Sequence, residues 1–272
     1  MKKLAFMFVM AIMPIAFASC GGSDDEDGAG GNNSTPKAKV EISVSDEVVG
    51  ERQIVELSVN YQTDNPNYLV TWYADGEKLN SIPKSELQYD WKAGEKGTHL
   101  IEVVITDRED VLKYEKSIEV VETELGDAII GDNKSKIART FGTSETNDVI
   151  TYSQSSARTY KYYFTAENKL YKIYYEYAVS LSPRNRTDYM IPLTTFASGY
   201  KKYKEKFGEP IRENYTQLET SESKIVEYGG HIYSGSMYVQ AVFQTSTRTA
   251  EVYVGPYKSG MGFTYSETLE SR

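Results

Sequence analysis

The sequence is poor in the residues that build staples and metal sites. Cys20 is the only cysteine in 272 residues, so no internal disulfide and no Cys-rich zinc or iron–sulfur site can form. Two histidines, His99 and His231, leave little for a histidine-based metal or catalytic centre. Basic residues are also short: 30 Lys and Arg face 39 Asp and Glu. The resulting net charge of −9 has the wrong sign for a nucleic-acid binder, whose footprint is basic. No Gly-rich phosphate loop, His-Glu-x-x-His or Gly-x-Ser-x-Gly occurs, so neither a cofactor nor a metal is expected. The rest is globular in composition. At 40% hydrophobic and 25% charged, wholesale disorder is excluded, and the length suggests two folded domains.

The first residues read as an address. Lys2 and Lys3 precede an apolar stretch at 4–17, broken by Pro14. Crossing a bilayer takes roughly 20 apolar residues, so this stretch is too short and predicts a secretory signal peptide over 1–19. Phe17-Ala18-Ser19-Cys20 resembles a bacterial lipobox, with Phe in place of the usual Leu. That resemblance implies cleavage before Cys20, acylation of its thiol and anchoring in outer-membrane lipid; the alternative is an ordinary signal peptide with an incidental cysteine. Gly21-Gly22-Ser23-Asp24-Asp25-Glu26-Asp27 resembles the acidic export signal of Bacteroidetes-type surface lipoproteins, which implies exposure at the cell surface. A solvated acidic linker is the other reading. Asp25-Glu26-Asp27-Gly28 lacks the ligand spacing of an EF-hand. Cleavage after residue 19 removes two lysines and no acid, leaving −11. With its Gly, Asn, Ser and Thr, the segment 20–37 predicts a flexible tether of roughly 23 Å.

Residues 38–122 alternate at period two. Strands are predicted over 40–44, 54–61, 68–73, 87–91, 100–105 and 111–121, with a turn at Asp75-Gly76. Short strands at this spacing predict a β-sandwich, and Trp72 sits where an Ig-like sandwich places its strand-C tryptophan. The run from Tyr89 to Asp107 has an aromatic pair at Tyr89 and Trp91, a Gly97-Thr98 turn, then a β-branched strand ending in Thr106-Asp107. It resembles the PKD family of Ig-like domains, which implies a spacer or interaction module. His99 reads as a partly exposed strand residue.

Residues 125–272 predict an antiparallel α+β domain with helices on one sheet face. Asp132 is expected to cap a helix over 133–141, with Gly142 as its stop. Strands are expected at 149–153, 158–164 and 169–179. A second helix is expected to start at Pro192 and end at Phe207-Gly208, followed by strands at 212–218, 224–228, 237–245, 250–254 and 262–266. The two Phe-Gly closures suggest a tandem helix-plus-strands repeat. This order resembles β-lactamase-inhibitor-like and SmpA/OmlA outer-membrane assembly lipoprotein domains in topology alone. A boundary crossed by few contacts is expected near 122–126.

Eighteen of the 23 tyrosines fall in this second part, and no tryptophan does. Alternation assigns Tyr160, Tyr162, Phe164, Tyr171, Ile173, Tyr175 and Tyr177 to a core face under the helices. Lys161, Tyr163, Lys172 and Tyr174 fall on an open face, which Tyr238 and Tyr253 extend. Exposed aromatics with polar tips suit a binding surface, so these six are the candidate ligand-binding residues. His231, in an expected loop with Ser234 and Ser236, matches no triad spacing. The sequence therefore favours a non-catalytic, cell-surface binding lipoprotein for a protein, peptide or glycan. The lack of tryptophan tilts the expectation toward protein or peptide. An assembly partner in an outer-membrane complex and a small hydrolase are the alternatives.

Overall fold

The computed structural model describes residues 41–80, 86–142, 145–146 (backbone only), 148–180, 182–258 and 261–272. The expected signal peptide, Cys20 and the acidic tether lie outside the described residues. Ala38–Arg272 makes one compact unit. Two hydrophobic cores lie within it, one drawn from residues 42–120 and the other from 125–269.

The first core fills a β-sandwich. Its strands are β1 (Ile42–Val44), β2 (Val48–Gly50), β3 (Ile54–Val59), β4 (Leu69–Ala74), β5 (Glu77–Lys78), β6 (Gln88–Lys92), β7 (Gly97–Asp107) and β8 (Asp110–Val121). They form a three-stranded sheet, β1-β3-β6, and a five-stranded sheet, β2-β8-β7-β4-β5, an Ig-like division. Alternation turns Val55, Leu57 and Val59 inward from β3, where they meet Trp72, Trp91, Ile101, Val103 and Ile105. Each fully buried large side chain contributes about 1.5–3 kcal/mol. The strand-ending Thr-Asp has a clear task. Asp107 accepts hydrogen bonds from Tyr61 Oη (2.5 Å), Thr63 Oγ1 (2.5 Å) and Asn65 Nδ2 (2.7 Å), tying the 61–65 loop to the end of β7. Chiefly through the Thr63 and Tyr61 hydroxyls, this cradle holds the Asp107 carboxyl at about 2.

The second core lies under one sheet. In chain order come α1 (Lys134–Phe141), β9 (Glu145–Thr146), β10 (Val149–Ser155), β11 (Arg158–Phe164), β12 (Leu170–Val179), α2 (Arg186–Phe207), β13 (Arg212–Glu213), α3 (Glu222–Tyr233), β14 (Val239–Gln244), β15 (Arg248–Pro256) and β16 (Phe263–Ser271). The eight strands order as β13-β14-β15-β16-β12-β11-β10-β9. Two meanders, β10-β11-β12 and β14-β15-β16, thus meet edge to edge where β12 pairs with β16. The three helices of the described residues lie on one face. Phe141 of α1 stacks on Tyr162 (4.9 Å), Gly199 of α2 lies on Tyr265, and Tyr233 of α3 meets Phe263 (5.8 Å).

Several expectations need correction. Helix α2 begins at Arg186, not Pro192, because Asn185 caps it: its side chain accepts from the Asp188 amide at 3.0 Å. Pro192 therefore sits inside the helix, and its missing N–H leaves the Asp188 carbonyl without its helical donor. Tyr233 of α3 donates to that carbonyl instead, at 3.2 Å. The strand expected at 224–228 and the loop after it are helix α3, with Ile225, Tyr228 and Ile232 at helical spacing toward the core. Gly229 is a contact point, since a Cβ there would stand 1.7 Å from the Tyr189 carbonyl oxygen. The strand expected at 212–218 shrinks to β13. On β12, Leu170 pairs with Phe164 and Lys172 with Tyr163, so Tyr171 is an extra bulged residue. Leu170, rather than Tyr171, takes the core place.

Asn133, not Asp132, is the N-cap of α1, and its side chain makes no cap bond. Asp132 is drawn into a buried network that crosses the expected boundary. It accepts from Lys136 Nζ (2.9 Å), Gln53 Nε2 (2.8 Å) and the Ile129 amide (2.9 Å). Lys136 also donates to the Val48 carbonyl at 3.0 Å. Arg139 pairs with Asp46, and Thr140 Oγ1 accepts from the Ile54 amide at 3.2 Å. Helix α1 is thereby fastened to the sandwich by buried polar contacts.

Candidate functional site

The helices do not cover their face of the sheet evenly. Helices α2 and α3 lie over β14, β15 and β16, and α1 lies against β10. Between them β11 and β12 stay open, making a cleft of about 480 Å³. Residues 123–127 and the β3–β6 end of the sandwich wall one side, through Arg52, Ile54 and Lys92. A second hollow of about 360 Å³ adjoins it and shares Tyr175, Lys202 and Glu267. Volumes of this order match small-ligand sites.

The floor is a tyrosine ladder. Tyr152, Tyr160 and Tyr175 stand directly opposite one another on β10, β11 and β12, and Glu267 of β16 continues the row. Ring centroids lie 6.3 Å apart for Tyr152–Tyr160 and 4.7 Å for Tyr160–Tyr175. No hydrogen bond to another described residue engages the three hydroxyls, and the three residues are half-buried. Burial, with Tyr175 and Asp127 nearby, pushes the Tyr160 phenol up to about 12. Burial also raises Tyr175. Both rings therefore present neutral O–H donors at neutral pH. Gly126 seats Tyr160: it has φ +60°, and a Cβ there would lie 2.5 Å from the ring. The Tyr162 hydroxyl holds the Gly126 carbonyl at 2.7 Å.

Glu267 is buried at the far wall and fully engaged. It accepts from Lys202 Nζ (2.7 Å), Tyr203 Oη (2.9 Å) and Tyr265 Oη (2.8 Å). Burial, reinforced by this carboxylate, lifts both phenols far above their usual range. Asp127 pairs with Arg52 at 3.2 Å, and Glu124 accepts from Arg248 at 3.2 Å and the Ile130 amide at 2.7 Å. Every carboxylate of the cleft thus has donors of its own. Lys92 and Arg158 have no carboxylate partner among the described residues. Arg158 instead lies over the Tyr177 ring, 5.4 Å from its centroid.

The six candidates from the sequence fall on the opposite, helix-free face. Lys161 stands across from Tyr174, and Lys172 across from Tyr163, each ammonium 5.9 Å from the facing ring. Lys172 also meets Glu270 at 3.4 Å, and Tyr174 donates to Glu176 at 2.6 Å. Tyr238 stacks on Tyr253 at 5.9 Å, separated from the lysine–tyrosine square by β16. The face exists, but its members are half-buried and mutually paired rather than free; only Tyr238 is exposed. Tyr162 is core as expected, at 0% exposure. Tyr175 is only half-buried, packed at the margin of the core beside α2. Alternation identified the face of Tyr160 and Tyr175 correctly, but it could not show that the covering helices leave a gap there.

His231 lies in the last turn of α3, not in a loop. Its Nδ1 is 3.1 Å from Ser236 Oγ, which donates to the His231 carbonyl. Among the described residues no carboxylate hydrogen-bonds the ring, and Ser236 and Ser234 donate to the His231 carbonyl at the helix end. Among the described residues, no group of three or more His, Cys, Asp or Glu is arranged to hold a metal ion. No described helix is long and apolar enough to cross a membrane.

No family model matches the chain, and no curated protein does. Among solved structures, the fibronectin(III)-like modules of Clostridium thermocellum CbhA are 20% identical over 30% of this chain and 94% of theirs, with a TM-score of 0.25. The CARDB domain of a Pyrococcus furiosus protein is 19% identical over 30% of this chain and 91% of its own, also at 0.25. A quinonprotein alcohol dehydrogenase-like protein from Bacteroides thetaiotaomicron is 13% identical over 52% of this chain and 37% of its own, at 0.23. The Ig-like β-sandwich rests on the strand order described above.

Proposed function

We propose that this protein is a lipid-anchored surface protein that binds a ligand in the tyrosine cleft without transforming it. The observation that carries this reading is the ladder Tyr152–Tyr160–Tyr175: three rings in register, with free hydroxyls in a walled hollow. Aromatic bodies with polar tips are the usual anchors of recognition surfaces. The carboxylates there are bound to donors, which suits holding a ligand better than acid–base work. In this reading acylated Cys20 anchors the chain in the outer membrane, the acidic run exports it to the cell surface, and the sandwich is a PKD-type spacer that also walls the cleft.

Two measurements test it. Metabolic labelling with a fatty-acid analogue should mark the native chain and not Cys20→Ala; a labelled mutant removes the anchor. Glycan arrays and pull-downs from surface extracts should show retention that Tyr160→Ala and Tyr175→Ala abolish while Tyr163→Ala and Tyr174→Ala spare it. The reverse pattern would move the site to the open sheet face.

A further inference from the structure

The cleft's chemistry narrows its ligand. Its lining is chiefly polar and charged, with little apolar area beyond Ile54, Leu125 and Phe141. Peptides are commonly held by apolar side-chain pockets or by a free sheet edge. The cleft has no large apolar pocket, and β11, β12 and β16 are paired on both sides; among the described residues β10 has an outer partner only at Val149 and Ile150, so an acidic peptide is the competing occupant that the poly-L-glutamate gel below reads. It offers a row of tyrosine rings leaning on one another, 6.3 Å and 4.7 Å apart, whose hydroxyls take no hydrogen bond from another described residue. A row of phenol hydroxyls between cations suits a polyhydroxylated, acid-bearing ligand such as a chain of sugar rings, whose own hydroxyls exchange hydrogen bonds with it.

The charge is also selective. Arg52, Lys92, Lys202 and Arg158 line the two hollows, and Arg248 stands behind Glu124. The four lining cations face three lining carboxylates, Glu124, Asp127 and Glu267, and Arg248 also pairs with Glu124. The surplus sits in a chain whose net charge is −9. A concave site with a small cationic surplus within an acidic body favours an anionic ligand over a neutral one. Lys92 and Arg158, which have no carboxylate partner among the described residues, can take carboxylates with charge-assisted hydrogen bonds.

We infer that the cleft takes an acidic glycan, a chain of sugar rings bearing carboxylates, laid across the tyrosine ladder with its acid groups toward Lys92 and Arg158. This rests on the binding reading above and deepens it.

Native affinity electrophoresis of the full chain in detergent tests the inference, with polygalacturonate, neutral dextran and poly-L-glutamate as separate gel additives. Polygalacturonate should retard the protein, and added salt should weaken the retardation. Tyr160→Ala should weaken it about tenfold or more, as loss of an aromatic anchor does. Lys92→Gln with Arg158→Gln, at exposed sites that leave the fold intact, should weaken polygalacturonate selectively. Equal retardation by dextran, abolished by Tyr160→Ala, would overturn the acidic preference and leave the cleft as the site. Retardation by poly-L-glutamate alone would overturn the glycan and favour an acidic peptide. Retardation untouched by either variant would overturn the cleft itself, as would no retardation in any gel for the acidic glycan.

Discussion

His99 joins three elements through one ring. Its Nδ1 lies 2.6 Å from Asp75 in the β4–β5 turn, its Nε2 lies 2.7 Å from the Glu95 carbonyl, and the ring packs on Trp91 at 5.5 Å. With an acceptor at each nitrogen, the ring is suited to the imidazolium form. Burial opposes that charge, but the Glu95 carbonyl and the Asp75 carboxylate outweigh it and raise the His99 pKa above 6.5. A raised folded-state value means the contribution is complete below the unfolded pKa and is lost as pH rises through the folded one. Melting temperature should therefore fall as pH climbs from 6 toward 8, and His99→Gln should flatten that fall; an unchanged slope would leave the ring uninvolved. Gly126 makes a different kind of prediction. Its positive φ and its contact with Tyr160 both exclude a side chain, so Gly126→Ala should cost about 1–2 kcal/mol from backbone strain alone. It should also displace the central ring of the ladder. Chemical denaturation reads the first effect and ligand retention the second.

Helix α2 tolerates an internal proline because another helix supplies the missing donor. Tyr233→Phe would leave the Asp188 carbonyl without a partner, at about 1–3 kcal/mol. Pro192→Ala restores the backbone N–H, so in that background Tyr233→Phe should cost much less. Additive costs in denaturant titrations would show that the two do not compensate. This substitution across helices also explains what the sequence could and could not say. The sandwich strands were legible because one buried face imposes alternation, as in Val55, Leu57 and Val59. The ends of α1 and α2 were legible at Gly142 and Gly208, where the chain takes positive φ. The start of α2 was hidden, because Pro192 is more visible as a helix opener than Asn185 is as a cap. Helix α3 was hidden by Gly229-Gly230, which reads as a breaker when its packing partner is unknown. The cleft was half legible: its tyrosines were grouped on one face, yet the gap over them depends on where two helices, distant in sequence, come to rest.

At the scale of the molecule, the network around Lys136 decides how the sandwich and the second sheet behave together. Lys136 and Asp132 are both buried and supply each other's charge. Lys136→Met would strand the Asp132 carboxylate with only neutral donors, a loss of about 3–5 kcal/mol. The native chain should melt in one calorimetric transition, and the variant should split it into two. A single unsplit transition at lower temperature would mean that the two cores are joined through other contacts. Because Arg52 and Lys92 of the sandwich wall the cleft, uncoupling should also reduce ligand retention.

The seam between β12 and β16 has a temporal consequence. β16 follows every other described strand in the chain, yet it lies fourth in the eight-strand order and holds the two meanders together. Its residues pair with a strand made almost a hundred residues earlier, Ile173 with Leu269 for instance. Until residues 263–271 have emerged, the two halves have no common edge, and the cleft lacks Glu267. During synthesis or translocation the sheet stays divided, its central strands exposed and open to wrong partners, until the last strand arrives.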